Sequence, residues 1–344
     1  MTAASSTMPG WRAASWSGPA WLATGLILLV ALCVTSLAVG QMAITPRTVL
    51  EAFRAYDPGN TEHLIVTTTR LSRTVVAAVV GASLALAGAL MQALTRNPLA
   101  SPGLFGVNAG AMFCAVALTA AGWLGGLAEF IWAAFAGAAL AGASIYALGA
   151  TGLARMSSLR MVLAGAAVSA LFVALTQAML VVNQEGLESV LFWLAGSVAG
   201  RELAIVGTVL PYPVAAGLLA IFMARHVDVL AAGEEIAVGL GQRTGWIKAL
   251  LAACVVLLAG SAVALAGAIG FIGLLVPHAA RRMVGAGHRW LLPACAVYGA
   301  CLLLAADIAA RVAASSQEIP VGVLTALLGT PCFILLIRRG WRHE

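Results

Sequence analysis

Charge is what this sequence has least of. Asp, Glu, Lys and Arg make up only 9% of its 344 residues, against 62% hydrophobic. The mean hydropathy is +0.99. A soluble protein of this size needs a charged surface, and this chain cannot build one. Lysine is nearly missing: Lys248, in GWIK, is the only one. With no GxxxxGK[ST], the chain has no phosphate-cradling loop of its own. HExxH, GxSxG and CxxC are missing too, and the five histidines (His63, His226, His278, His288, His343) are scattered. These absences leave no metal, cofactor or hydrolase signature, and no nucleophile–base pair for an intramembrane enzyme. The six cysteines fall in or near apolar runs and read as small buried hydrophobes. Acids within the apolar runs are scarce. Asp307 sits four residues before Arg311, one helical turn away, where the two can pair. Ion-coupled transporters carry buried acids as proton or sodium relays. Their scarcity argues against a secondary transporter and for an outside source of energy.

What is present is a series of long apolar runs, at 21–40, 74–95, 103–122, 127–149, 161–182, 203–223, 247–267, 269–286, 291–310 and 319–339. Most reach the ~18–20 residues that cross a hydrocarbon core as helix. The short alternating segments of a β-barrel are missing. The reading is an all-α polytopic membrane protein of about ten helices. Its abundant Gly and Ala should let helices approach closely. Residues 1–20 read as a cytoplasmic tail without a cleavable leader, and 21–344 as a single transmembrane domain. With the first residue inside, 13 of the 19 basic side chains fall on inner segments and 6 on outer ones. The positive-inside rule then puts both termini in the cytoplasm. The net charge of +6 thus reports topology rather than nucleic acid. The six outer arginines are Arg47, Arg54, Arg70, Arg73, Arg201 and Arg311. They run against the rule and need their own explanation.

A repeat organises the runs. GASLALAGALMQALTRNPLA from Gly81 matches GSAVALAGAIGFIGLLVPHA from Gly260 in its first glycine, its ALAGA string and its proline. The copies sit on the second and seventh runs. Five crossings separate them, so they enter the membrane from opposite sides. That predicts an inverted-topology repeat, with halves near 70–182 and 243–339, and a transport path where the halves meet. Proline disfavours helix in the residue before it. Asn97-Pro98 and Val276-Pro277 are therefore expected to mark breaks between helices, with Asn97 a candidate for the path.

The motifs carry a resemblance over nearly the whole chain. RLSRT (70–74), GALMQALTRNPLASPGLFGVNAGA (88–111), FWLAGS (192–197), GEEIAVGLG (233–241), GFIGLLVPHAARR (270–282), LLAADIAAR (303–311) and EIPVGVLTALLGTP (318–331) occur in order. Together they resemble the FecCD/vitamin B12-type permeases of ATP-binding-cassette importers. The resemblance implies a type II importer permease in the bacterial inner membrane, moving ferric siderophores, with haem or cobalamin as alternative cargo. It implies a second permease chain (a copy or a paralogue), two ATPase subunits and an extracytoplasmic substrate-binding protein. Arg70, Arg73 and Arg311 match the family's docking arginines, which meet glutamates of the binding protein. Arginine forms geometrically specific pairs with carboxylates, which suits that role. Segment 224–247 matches the coupling segment that seats in the ATPase. Within it Gly233, Glu234, Glu235, Gly239, Leu240 and Gly241 form a short helix, its acids at the start where the dipole favours them. The family's cytoplasmic gate falls on MSSLR, making Ser157 and Ser158 gate candidates.

Overall fold

In lipid a chain must satisfy its backbone internally, and a run of apolar residues does so most simply as helix. A computed structural model describes residues 17–40, 42–103, 106–123, 127–150, 158–182, 193–313 and 319–340. All ten apolar runs are helical there over most of their length. They form α1 (Gly18–Ala38), α4 (Leu71–Thr95), α5 (Val107–Ala120), α6 (Leu127–Ala150), α7 (Ser158–Val182), the pair α8 (Leu203–Val209) and α9 (Pro211–Phe222), α12 (Thr244–Ala266), α13 (Ile272–Val284), α14 (His288–Ala313) and α15 (Val321–Gly340). Among the described residues, five helices are long and apolar enough to cross a membrane, six if α8 and α9 form one span bent by 41°. Pro211 stands at that bend. It cannot donate to the ladder, and its ring crowds the preceding turn.

Short helices join the spans. After α1 come α2 (Pro46–Arg54), α3 (Thr61–Ile65) and a π-helical turn, Val66–Arg70, which runs directly into α4. After α9 come α10 (Ala224–Ala232) and α11 (Glu234–Gly239). The core lies along α4, whose most apolar stretch is 78% buried; in α1 that share is 11%. α14, α12 and α13 all pack on α4, α6 packs on α12 and α5, and α1 lies outside α14.

Glycines set the closest crossings. A Cβ on Gly81 would stand 2.3 Å from the Gly299 carbonyl oxygen, and one on Gly88 1.9 Å from that of Gly273. No side chain fits at either place, so α4 meets α14 and α13 backbone to backbone.

The break between α12 and α13 does not fall where the repeat placed it. Pro277 lies inside α13, and the chain leaves the helix at Gly267 instead. Gly267 has φ +72°, and a Cβ there would meet the Trp193 carbonyl at 1.9 Å. The freed carbonyls at the end of α12 find donors on 193–201: the Ser197 N–H reaches Ala266 at 2.9 Å, and Arg201 Nε reaches Leu265 at 2.8 Å. Phe271 then opens α13 at φ +67°, a left-handed conformation costing a non-glycine residue roughly 1–2 kcal/mol. Its ring packs where a side chain on Gly329 would otherwise sit. Only the first expected break stands where it was placed: α4 ends at Thr95, and Arg96 (φ +51°) and Asn97 close it.

Candidate functional site

The π-helical turn ahead of α4 carries Arg70, and the first turn of α4 carries Arg73. Arg311 lies in the last turn of α14. The structure gathers all three at one end of the bundle and turns them inward. Arg73 Nε donates to Asp307 Oδ1 at 2.9 Å, and Arg311 Nη2 pairs with Asp307 Oδ2 at 2.9 Å. The i, i+4 pair expected within α14 is therefore present, with Arg73 added to it. The Asp307 side chain is 0% exposed, and those of Arg73 and Arg311 are 12% and 9% exposed.

The other donors close the end of α1. Its last carbonyls have no partner within the helix, and guanidinium groups supply them. Arg70 Nη1 donates to Leu37 and Ala38, both at 2.7 Å, and Nη2 to Met42. Arg311 Nη1 donates to Ser36 and Val39 at 2.8 Å, and Nη2 to the Ser36 hydroxyl at 2.6 Å. Cations at a helix C-terminus also complement its dipole. Arg73 and Arg311 share the Asp307 carboxylate, and Arg70 is held by backbone carbonyls. Ser36 was missed in sequence; its hydroxyl also bonds Thr74 at 2.7 Å. Arg201, the fourth outer arginine in this region, caps α12 as described.

The opposite end is built differently. α10 ends at Gly233 (φ +136°), and α11 begins with Glu234 and Glu235. Gly241 (φ +80°) follows it, with the Gln242 N–H returning to the Ala237 carbonyl at 2.9 Å. Glycine there satisfies the last carbonyls without a side-chain clash. The expected short helix and its closing glycines are thus in place. Glu234 pairs with Lys248 of α12 at 2.7 Å. Ile236, Val238 and Leu240 stand exposed at 53%, 57% and 68%, with Trp246 nearby in sequence at 78%. Four large apolar side chains on a short polar-capped connection form a surface made for contact.

Two links at this end were not anticipated. Gln92 of α4, 3% exposed, accepts from Arg281 Nη1 at 2.5 Å and donates to the Gly273 carbonyl at 3.3 Å, tying α4 to both ends of α13. Asp228 of α10 accepts from His288 at the start of α14. Asn97 turns back on its own backbone, its Oδ1 accepting the Leu99 N–H at 2.9 Å. Ser158 opens α7, and Ser157 lies outside the described residues.

A bundle of spanning helices with backbone-tight crossings and an irregular segment between α12 and α13 is the architecture of a polytopic membrane protein. The comparisons make that specific: the FecCD transport family matches residues 28–339. The chain belongs to this family of ATP-binding-cassette importer permeases, in which the membrane subunit performs no hydrolysis. It is 50% identical to the Probable siderophore transport system permease protein YfiZ of Bacillus subtilis over 91% of this chain and 94% of that one. It is 43% identical to the Fe(3+)-citrate import system permease protein YfmD of the same organism, over 89% and 90%. Among solved structures, an inward-facing conformation of a putative metal-chelate type ABC transporter superposes with a TM-score of 0.82 at 28% identity, covering 93% of this chain and 99% of that one.

Proposed function

We propose that this chain is half of the membrane path of an importer for ferric siderophores in the bacterial inner membrane, with both termini cytoplasmic. The observation carrying the cargo is the 50% identity to a Probable siderophore transport system permease protein, beside 43% identity to an Fe(3+)-citrate import permease. A second permease chain, a copy or a paralogue, completes the path. Two ATPase subunits supply the energy this sequence has no means to supply. The packing supports two related halves: α4 lies on α14 as α12 lies on α6, and α4 on α13 as α12 on α5. Exchanging 70–182 with 243–339 preserves those neighbours.

In this reading α11 and its flanks are the ATPase contact, and the exposed Ile236, Val238 and Leu240 support it. Arg70, Arg73 and Arg311 receive acidic groups of the substrate-binding protein. A cluster of three arginines on this face would attract such a partner and speed its encounter. Because Arg70 Nη1 and Arg311 Nη1 are already engaged by carbonyls of α1, docking carboxylates would have to replace those carbonyls. Asn97, Ser157 and Ser158 remain the candidates for the path and its gate.

The test is accumulation of radiolabelled ferric siderophores in cells with and without the gene, with haem and cobalamin as parallel cargoes. Loss of uptake of a ferric siderophore alone is the expected result. Intact siderophore uptake with lost haem or cobalamin uptake would overturn the cargo.

A further inference from the structure

α14 runs from one proposed partner site to the other, as does α4, which carries Arg73 and packs on α10. α14 is unbroken from His288 to Ala313, 26 residues, or about 39 Å at 1.5 Å per residue. Near its end, Asp307 and Arg311 hold the arginine cluster. At its start, a single oxygen of Asp228 accepts the His288 backbone N–H at 2.9 Å and the His288 ring Nδ1 at 2.6 Å. His288 is buried, 5% exposed. A carboxylate accepts and does not donate, so the Nδ1 proton points at Asp228.

Asp228 thus caps α14 from a different helix. The first N–H groups of a helix have no internal partner, and an anion there is favoured by the dipole. Asp228 belongs to α10, whose Val227 and Leu230 are buried and whose last residue precedes Gly233 and α11. The segment presenting the exposed apolar side chains is therefore keyed to the end of α14 by one charge-assisted contact. Its other polar ties, Glu234–Lys248 and Gln242 to the His226 carbonyl, go to α12 and within the segment itself.

We propose that Asp228 is a positioning residue for coupling. It fixes α10–α11 to α14, so that docking at the arginine cluster and movement of the ATPase contact act on the same rod. Two sites count as coupled when each biases a shared element. This proposal rests on the reading of α11 as the ATPase contact and of the arginines as the binding-protein contact.

The experiment uses the full transporter, with its ATPase and binding protein, in lipid nanodiscs. It reads ATPase association, binding-protein affinity, and basal and docking-stimulated hydrolysis. With hydrolysis read per associated ATPase, Asp228→Ala is expected to lower the stimulated-to-basal ratio by about fivefold or more, the lower range of allosteric coupling. Asp228→Asn keeps an oxygen that accepts both donors and is expected to restore the ratio. His288→Ala keeps the backbone donor and should fall between the two. An unchanged ratio in Asp228→Ala would overturn the proposal, as would equal loss in Asp228→Asn. If Asp228→Ala does not assemble, the ranking of the other two variants against wild type decides. Ile236→Asp with Leu240→Asp tests the underlying reading separately. If ATPase association survives that change, α11 is not the contact, whatever Asp228 does.

Discussion

The two ends of this bundle are built in opposite ways. At the arginine end, charge is folded inward: three guanidinium groups meet one carboxylate and the last carbonyls of α1 out of water. At the α11 end, apolar side chains stand outward on a six-residue helix held by a salt bridge and closing glycines. The first arrangement fixes geometry, because moving one member strands the others. The second leaves binding surface free at little cost to the bundle. The same substitution strategy should therefore unfold one end and merely disconnect the other.

The largest effect is expected from Asp307→Ala. It leaves Arg73 and Arg311 buried without their carboxylate, and breaking a buried ion pair this way costs about 3–5 kcal/mol. Thermal unfolding in detergent and the amount of chain in membranes should both fall sharply. Ile236→Asp with Leu240→Asp comes next and sharpens the contrast. Stability should change by less than about 0.5 kcal/mol, since exposed positions tolerate such changes. ATPase association should weaken by at least about 2 kcal/mol, as when contact anchors are removed, measured by co-purification across subunit concentrations. Smallest is Arg47→Ala. Arg47 pairs with Glu51 on α2 at 2.8 Å, near the same end as Asp307, but its side chain is 89% exposed. A loss under about 0.5 kcal/mol in the same unfolding assay is expected. It would show that burial, not charge, governs the arginine end.

Much of this was readable in the residues, and the failures have physical causes. Apolar runs located all ten helices within a few residues, because length and hydropathy decide spanning segments. The Asp307–Arg311 pair followed from helical spacing alone. The second break was misplaced because the two ALAGA strings sit in different surroundings. Gly88 lies inside α4 against Gly273, whereas Gly267 meets the Trp193 carbonyl while Arg201 and Ser197 take the bonds that would have continued α12. Those donors lie more than 60 residues away in sequence, and no local pattern encodes them. Arg70, Arg73 and Arg311 were identifiable as residues by the family resemblance, but their inward orientation depends on where α1 ends. Asp228 and His288, 60 positions apart, left no sequence signal beyond an acid and a histidine near helix ends.

The central claim is that this chain opens a path and takes its energy from a separate ATPase. It is tested most directly by reconstituting the chain in proteoliposomes with its ATPase and binding protein and following uptake of a ferric siderophore. The account expects accumulation that needs ATP and stops when the ATPase subunit is left out. Accumulation driven by an ion gradient alone, with no ATPase present, would contradict it.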